Sequence, residues 1–323
     1  MTGLLRVAFA AVLAISATVT TALAQTYPNR PIRLLVGTPP GGAADLTARL
    51  VAQSMSVRLG QPIVIENKPG AGFNLSGEAA ARSAPDGYTL LHTPEHMVVI
   101  NPHAYAKMSF DPLKDLVPIA SLVSNQYALA VHPSVKANNL KEFVEGPGRA
   151  QPPLFYASIG NGSPHHLMFE MLKQHARFDL THVPYRGGGP AANAMLAGDV
   201  SAMFGAASIV PTIQSGRFRG LAVSGNTRWA SLPDLPTVHE TYPGYDMRVW
   251  HAWFAPAGTP QAIIDRLRTE LNEVLREPAV VERLVKSGSG EPYITTPEEF
   301  QARMSSDYEK LGKVIKSLGM RIE

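Results

Sequence analysis

The chain has 323 residues, of which 45% are hydrophobic, with 29 Lys and Arg against 26 Asp and Glu and no cysteine. Without cysteine it can form neither a disulfide framework nor a lipid-modified cysteine behind a leader, so the core alone must stabilise the fold. The net charge of +3 is small, and no dense Lys/Arg run indicates nucleic-acid binding. A chain of this length normally divides into two domains.

The first residues have the pattern of a leader for export. One basic residue, Arg6, precedes an apolar stretch from Val7 to Ile15, and Ala22-Leu23-Ala24 has the small residues of a cleavage site. The apolar stretch is too short for a stable membrane anchor. We therefore predict a cleavable signal peptide over residues 1–24 and a mature protein that begins at Gln25.

Strand-like and helix-like patterns alternate from Pro31 onward. The run IRLLVG predicts a strand, TPPGG breaks it, and AADLTARLVAQSMSVRLG predicts a helix. PIVIE, a turn at Gly70 and Gly72, and NLSGEAAARSA repeat this unit, and GYTLLHT predicts a third strand. Because short strands that alternate with helices form parallel sheets covered on both faces, the pattern predicts an α/β fold.

The middle of the chain repeats the alternation. Strands are predicted at YALAVHP, LFYASIG, LTHVPYRG, VSAMFGA and RGLAVSG, and helices at NNLKEFVEG, SPHHLMFEMLKQHA and GPAANAMLAG. The C-terminal part adds the helices PQAIIDRLRTELNEVLRE and TPEEFQARMSSDYEKLGKVIKSLG. We predict two α/β lobes, the first from residues 25–124 and 223–323 and the second from residues 125–222.

Four glycine-rich turns stand between a predicted strand and a predicted helix: TPPGGAAD, NKPGAGFN, SIGNGS and YRGGGPA. Glycine lets the backbone approach a ligand, and the unpaired N–H groups of a first helical turn favour negative charge. In two α/β lobes such turns border the central cleft. They are either carboxylate receptors or plain tight turns. None fits a dinucleotide fingerprint or a phosphate loop, so no cofactor is expected.

The stretch YASIGNGSPHHLMFE, residues 156–170, allows two further interpretations. His166 and Glu170 are one helical turn apart, as two metal ligands would be, but no third ligand or metal motif accompanies them, so no metal is predicted. Ser163 with His166 and Glu170 would suit a secreted serine hydrolase, although the chain has no nucleophile elbow. We expect His166 to cap or pack beside the turn and Glu170 to face solvent.

A series of ordered motifs covers essentially the whole mature chain: YPNRPIRLLVGTPPGGAADLTARL, IENKPGAG, APDGYTLL, FDPLKDLVPIASLV, YASIGNGSPHHL, VPYRGGGPAANAMLAGDVSAMF, LAVSGNTRWASLPDLPTVHE and WFAPAGTP. In these motifs the chain resembles the periplasmic solute-binding proteins of tripartite tricarboxylate transporters, often called the Bug family. The resemblance implies a two-lobed flytrap fold, each lobe a mostly parallel sheet flanked by helices, with crossover strands between the lobes.

The same resemblance implies a function without catalysis. The protein would capture a small organic carboxylate between the lobes, without cofactor, and deliver it to integral membrane transporter subunits. It would be periplasmic and monomeric. A periplasmic carboxylate sensor has the same binding chemistry and differs only in its partner, so that alternative stays open beside the secreted serine hydrolase.

Carried over residue by residue, the resemblance places ligand contacts in both lobes. The expected ligand-binding residues are Thr38, Pro40, Gly41, Gly42, Ala43, Phe73, Asn74 and Thr93 in the first lobe, and Ser158, Gly160, Asn161, Gly162, Ser163, Tyr185, Arg186, Gly187 and Ala206 in the second. Phe73 replaces a usual glycine, and GAA at residues 205–207 replaces an aspartate that in some relatives can pair with a ligand amine. Both departures favour an apolar or aromatic carboxylate over an amino acid or citrate.

Other candidates near the predicted strand ends have two interpretations each. Phe204 and Trp250 either stack on a planar ligand, as Tyr185 also would, or belong to the core. His92, Glu95 and His96 flank a predicted cleft loop. They either touch ligand or lie on the surface without a role.

Overall fold

The computed structural model describes residues 27–322, so the predicted signal peptide at residues 1–24 lies outside the described residues. The strands are β1 (Ile32–Val36), β2 (Ile63–Asn67), β3 (Thr89–Pro94), β4 (Leu116–Asn125), β5 (Ala128–Val131), β6 (Phe155–Ser158), β7 (Thr181–Pro184), β8 (Ala202–Gly205), β9 (Arg219–Val223), β10 (Val249–Pro256) and β11 (Glu291–Pro292).

The α-helices follow the predicted order, with short additions. They are α1 (Ala43–Leu59), α2 (Asn74–Ala81), α3 (Glu95–Val99), α4 (Asn101–Ala104), α5 (Leu140–Glu145), α6 (Pro164–Ala176), α7 (Gly188–Ala197), α8 (Val210–Gln214), α9 (Val238–Thr241), α10 (Gln261–Val274), α11 (Pro278–Lys286) and α12 (Pro297–Ser317). Short 3-10 turns lie at Ala71–Phe73, Pro147–Arg149 and Ala207–Ile209. Within residues 27–322, no helix combines the length and apolar character needed to cross a bilayer.

The first sheet has the strand order β11-β4-β10-β3-β1-β2. β1 pairs in parallel with β2 and β3, and Leu34 lies opposite both Ile65 and Leu90. β10 runs antiparallel between β3 and β4. The strand prediction omitted β4 and β10, because their pairing partners are distant in sequence and local periodicity does not reveal them.

The second sheet has the order β7-β6-β8-β5-β9. β6 pairs in parallel with β7 and β8, whereas β5 is antiparallel to β8 and β9. Most strands in each sheet therefore point in one direction. In the first sheet β10 and β11 run against the others, and in the second sheet β5 runs against the others. Gln126 and Tyr127 connect β4 to β5, and residues 224–248 return the chain from β9 to β10.

Burial of apolar side chains in the core explains why these segments form helices and strands. The helix α10 buries Ile264, Leu267 and Leu271 on one face against the first sheet. Another cluster is continuous across both sheets and contains the fully buried rings of Phe204 and Trp250. These two rings are therefore core residues, which confirms the second of their two interpretations.

Candidate functional site

The turn after β1 is organised by the buried carboxylate of Asp45. Its Oδ2 accepts the N–H of Gly41 at 2.8 Å and the Nε–H of Arg49 at 2.8 Å, and its Oδ1 accepts an amide hydrogen of Asn67 at 2.8 Å. The same Asn67 amide nitrogen donates to the carbonyl of Thr38 at 2.8 Å. This Asp45 clamp therefore joins the turn, α1 and the end of β2.

The Asp45 carboxylate places a negative charge close to the end of β1. Burial acts to raise the pKa of Asp45, but the hydrogen bonds from Arg49, Asn67 and Gly41 outweigh it and lower the pKa. Asp45 is thus ionised over the ordinary pH range, and Arg49 neutralises it. This residue stands inside the quoted TPPGGAAD motif, but its role depends on groups that are distant in sequence.

The glycine N–H groups of this turn are used inside the protein. Gly41 donates to Asp45, and Gly42 donates to the carbonyl of Pro39 at 3.1 Å. Gly41 has φ +82°, which explains the need for glycine. Because the first N–H groups of a helix lack intrahelical acceptors, the donors left for an anion are those at the start of α1. The Thr38 hydroxyl is buried and has no partner within residues 27–322.

Phe73 lies over the end of β1, beside this turn. It is half-buried and adopts φ +75°, a conformation uncommon for residues other than glycine. Its ring occupies the space that a β-carbon on Gly37 would need, and it contacts the His96 ring edge-on with 4.8 Å between centroids. Asn74 instead accepts a hydrogen bond from Asn101 at 2.7 Å.

His92, Glu95 and His96 lie at the end of β3 and are buried or half-buried, so of their two interpretations the one that places them on the surface is wrong. His92 is fully buried, and its Nε2 lies 3.1 Å from Nδ1 of His251. His96 is half-buried against Phe73, and Glu95 is buried. Thr93 is fully buried, and its hydroxyl donates to the Pro94 carbonyl at 3.3 Å.

The turn after β6 is organised by serine and histidine side chains. Ser158 accepts the Gly160 N–H at 3.0 Å, and His166 accepts the Gly162 N–H on Nδ1 at 3.1 Å. Ser163 is the N-cap of α6 and donates its own hydroxyl hydrogen to the Gly160 carbonyl at 2.7 Å. Asn161 is exposed at the tip of the turn.

Behind this turn two imidazole rings are stacked. The rings of His166 and His182 are parallel within 5° with centroids 4.0 Å apart, and His182 Nε2 lies 2.6 Å from the Ser158 hydroxyl. Burial and the neighbouring His166 lower the pKa of His182 to about 4, and burial also lowers the pKa of His166. Both rings are therefore neutral near pH 7. The prediction that His166 packs beside the turn is confirmed.

Glu170 is buried, so the expectation that it faces solvent is wrong. Its Oε1 accepts the Tyr156 hydroxyl at 2.7 Å and the Lys173 ammonium at 3.0 Å. The Ser163 hydroxyl makes no bond to the His166 ring, since it contacts Gly160 and the His166 N–H. Within residues 27–322, no group of three or more His, Cys, Asp or Glu residues is arranged to hold a metal ion.

The remaining predicted residues lie around the ends of β7 and β8. Tyr185 is half-buried and its N–H donates to the Ser158 carbonyl at 2.9 Å, while Arg186 is exposed. Gly187 is the N-cap of α7 with φ +114°. Ala206 is half-buried between β8 and the following 3-10 turn.

The end of the chain joins the two lobes near these turns, a feature that sequence analysis missed. Ile322 donates its N–H to the Ala104 carbonyl at 2.7 Å and pairs with Tyr105 in the first lobe. Met320 Sδ lies 3.1 Å from the position of a β-carbon placed on Gly162 in the second lobe. The contact between these segments could not be predicted from local sequence patterns, because it is purely tertiary.

Comparisons with known proteins agree with this architecture. Residues 47–320 match the family described as Tripartite tricarboxylate transporter family receptor. Similar solved structures include BugD, Rpa4515 and MatC. The periplasmic binding protein BugD is 31% identical with TM-score 0.71, and the alignment covers 92% of this chain and 100% of that chain. Rpa4515 of R. palustris with adipate is 29% identical with TM-score 0.76, covering 92% and 100%. MatC of Rhodopseudomonas palustris with bound malate is 29% identical with TM-score 0.71, covering 90% and 100%.

Proposed function

Because the chain belongs to the tripartite tricarboxylate transporter receptor family, we propose that it captures a small organic carboxylate in the cleft of its two-lobed fold. It then delivers this ligand to integral membrane transporter subunits. The observation that carries the proposal is the pair of pre-formed turns after β1 and β6, each of which leads into a helix. Similar proteins with bound adipate and malate support the ligand class.

The geometry suggests how the carboxylate is held. The N–H groups at the start of α1, the His165 N–H in the first turn of α6, the Thr38 hydroxyl and the Asn161 amide are the donors, since the Gly41, Gly160 and Gly162 N–H groups are already used. Pro164 has no N–H, and Ser163 accepts the His166 N–H. Gly41 and Gly162 instead set the shape of their turns. A carboxylate that accepts several such N–H bonds is favoured by the helix dipoles as well.

We include the remaining predicted contacts in this proposal. Thr38, Pro40, Gly41, Gly42, Ala43, Phe73, Asn74 and Thr93 contribute from the first lobe, and Ser158, Gly160, Asn161, Gly162, Ser163, Tyr185, Arg186, Gly187 and Ala206 from the second. The half-buried Phe73, whose ring lies against Gly37 at the end of β1, supports an apolar or aromatic carboxylate.

The lobe boundaries are part of the same proposal. The expected division into residues 25–124 with 223–323, and 125–222, is supported by the sheets, since β4 ends at Asn125 and β9 ends at Val223. The two connections between the sheets would act as a hinge that closes on the ligand. Small-angle scattering is then expected to show a more compact particle with ligand than without it.

Export to the periplasm and a monomeric state complete the proposal. The family is one of receptors, which favours binding over catalysis, and the Ser163 hydroxyl is not positioned to be activated by His166. A sensor role differs only in the partner. Uptake measured in cells that lack or contain the membrane subunits separates transport from sensing.

Thermal unfolding with a panel of organic acids tests the binding function. A ligand at one hundred times its Kd adds roughly 2.7 kcal/mol to the free energy of unfolding, which gives a clear rise in melting temperature. The panel contains adipate, malate, succinate, benzoate and 4-hydroxybenzoate. If no acid raises the melting temperature at millimolar concentration, the carboxylate function is wrong.

A further inference from the structure

A groove on the surface of the first lobe lies between α1 and α11. It holds about 470 Å³, and its α1 wall consists of Leu46, Arg49, Leu50 and Gln53. These positions share one face of α1, because residues three, four and seven apart lie above one another on a helix. Arg283 of α11 joins the two walls, since its Nη1 and Nη2 each donate to Oε1 of Gln53 at 3.2 Å. The two helices therefore enclose one continuous feature, the α1–α11 groove.

The α1–α11 groove is positively charged. Arg49, Arg283 and Lys286 line it, and no acidic side chain of residues 27–322 does. The partner of Arg283 is the neutral amide oxygen of Gln53, and this bond leaves the arginine charge uncompensated. Lys286 pairs with Glu282 at 2.5 Å, but the two side chains are 75% and 61% exposed, and an exposed pair of this kind contributes little. The groove can therefore exchange that pair for a carboxylate of another molecule.

An apolar side chain stands among these charges. Leu46 is 46% exposed in the first turn of α1, and the nearly buried Leu50 lies one turn further along the same wall. A single exposed leucine is common on a protein surface, but here it lines a groove together with cations. This combination matches the mode in which a segment lays its apolar face into a groove and places its charged side chains at the rim.

The groove adjoins both parts of the protein that respond to a ligand. At one end, Arg49 holds the Asp45 carboxylate that fixes the turn after β1. At the other end, Gly288 lies against the second lobe, since a β-carbon placed on it would be 3.7 Å from the β-carbon of Ala207. A molecule that fills the groove and extends past Lys286 therefore reaches the junction whose geometry would change as the lobes close.

We propose that the α1–α11 groove is the docking site for an acidic segment of the integral membrane subunits. Carboxylates of that segment pair with Arg283 and Lys286, and an apolar side chain between them packs on Leu46. The docking site deepens the proposed function and rests on it, since delivery of the ligand requires a contact with these subunits. Complementary charge of this kind speeds association and makes binding weaken with salt.

An anionic lipid surface is the alternative partner, and the shape of the groove disfavours it. Segments that bind anionic lipids typically carry four to eight clustered Lys and Arg residues. The groove has three cationic side chains, and its Leu46 and Leu50 line a recess between two helices. A narrow recess of mixed charge and apolar character suits a polypeptide segment better than a flat layer of headgroups.

Binding of the purified protein to membrane vesicles that contain the integral membrane subunits tests the docking site. Phosphatidylglycerol vesicles without the subunits are the reference. We expect the wild type to bind only the first kind, and tenfold or more weakly at about 0.5 M than at about 0.05 M NaCl, because salt screens the charges. Arg283→Glu combined with Lys286→Glu should weaken binding at least tenfold, and Leu46→Gln severalfold. If the double variant does not fold, Lys286→Glu alone provides the measurement, with an expected loss of at least threefold.

Arg276→Glu combined with Lys141→Glu is the matched control. Both residues are exposed, lie outside the groove and pair with a glutamate about one helical turn away, at 2.9 Å for Glu273 and 4.0 Å for Glu145. The control changes the net charge by the same amount, and we expect it to bind the vesicles within twofold of the wild type. Both double variants should keep the wild-type affinity for the acid that raises the melting temperature, as calorimetry measures, because neither changes a ligand turn.

Several outcomes overturn the docking site and leave carboxylate binding standing. They are equal binding to vesicles with and without the subunits, unchanged binding in the groove variants, an equal loss in the control, and self-association of the wild type that the groove variant abolishes. A wild type that binds an acid but no vesicles overturns the docking site together with delivery. Binding of no acid by the wild type instead overturns the proposed carboxylate function itself, so the failures are distinguishable.

Discussion

The turns after β1 and β6 are built from different chemistry. The first-lobe turn is fixed by an ionised carboxylate, Asp45, which an arginine neutralises. The second-lobe turn is fixed by hydroxyls and a neutral imidazole, with no charge in contact with its glycines. A turn that is proposed to bind an anion therefore needs no cation of its own, provided that other groups hold the backbone in place.

This difference has consequences for strength and for pH. Hydrogen bonds to charged groups contribute more than neutral ones, so the first turn is the more firmly held of the two. The second turn depends on the unprotonated Nδ1 of His166. Protonation of that ring should therefore disrupt the second turn at a higher pH than protonation of Asp45 disrupts the first.

Asp45→Asn should have the largest effect. The variant removes a charge-assisted bond to Gly41 and leaves Arg49 without its carboxylate, which should cost roughly 1.5–3 kcal/mol of unfolding free energy. Ligand affinity should fall about tenfold or more, equivalent to ~1.4 kcal/mol. Urea unfolding and calorimetry measure both quantities.

Glu78→Gln is the matched control for Asp45→Asn. Glu78 pairs with Arg82 at the same helical spacing of four residues, and Glu78 is half-buried while Arg82 is exposed. We expect it to change unfolding free energy by less than about 1 kcal/mol and to leave affinity unchanged. Equal effects of both variants would contradict a special role for the clamp.

Acid should act on the second turn before the first. His182 has a pKa lowered to about 4, so between pH 6.5 and about 4 the unfolded histidine binds a proton that the folded one does not. Its contribution to stability is therefore complete above pH 6.5 and is lost as pH falls through that window. The pKa of Asp45 is already lowered from 3.8, so its contribution is lost only below that value.

Urea unfolding at pH 7, 5.5 and 4.5 measures whether the free energy of unfolding falls with pH in this direction. Other buried histidines, including His92 and His251, have lowered pKa values too and contribute in the same direction. The test is therefore the difference between variants: His182→Asn should flatten the loss of stability, and Asp45→Asn should leave its slope unchanged over this range. A steeper loss in His182→Asn would refute the assignment.

Ser163→Ala should have a smaller effect. The substitution removes the N-cap of α6 and the bond to the Gly160 carbonyl, which should cost about 1 kcal/mol of unfolding free energy. We expect affinity to fall severalfold. A chromogenic ester provides the second readout: turnover by the wild type that this variant abolishes would favour the hydrolase over the receptor.

Phe73→Gly should have the smallest effect, and this effect should be limited to the binding of planar ligands. The ring should add ~0.5–1.5 kcal/mol to the binding of a planar ligand, so benzoate should bind more weakly to the variant while succinate is unaffected. Removing a side chain from a positive φ also relieves strain, which limits any loss of stability. Equal effects on the two acids, or none on either, would remove the argument for an aromatic ligand.

Much of the fold follows from local patterns in the sequence. Glycine and proline mark the turns, and the periodicity between them predicts β1, α1, β6 and α6 correctly. β10 is different: it is buried along its whole length and pairs with strands far away in sequence. A fully buried strand shows no alternation, so its direction could not be predicted.

The site was less predictable than the fold for a related reason. Sequence analysis found the glycine turns and listed their glycines as ligand contacts. Whether the N–H of Gly41 is free depends on Asp45, and whether the N–H of Gly162 is free depends on the ring of His166. Glycine residues in a sequence indicate the shape of a turn, but tertiary contacts decide which N–H groups stay free for a ligand.

The bond between Gly162 and His166 makes this imidazole a spectroscopic reporter. Because Nδ1 accepts the Gly162 N–H, the ring proton of the neutral form resides on Nε2, which faces Glu170. In a ¹⁵N spectrum the two ring nitrogens of that tautomer differ widely in chemical shift. Among the 10 histidines of the chain, the His166 signals would therefore follow the second turn directly as ligand is added, without any attached label.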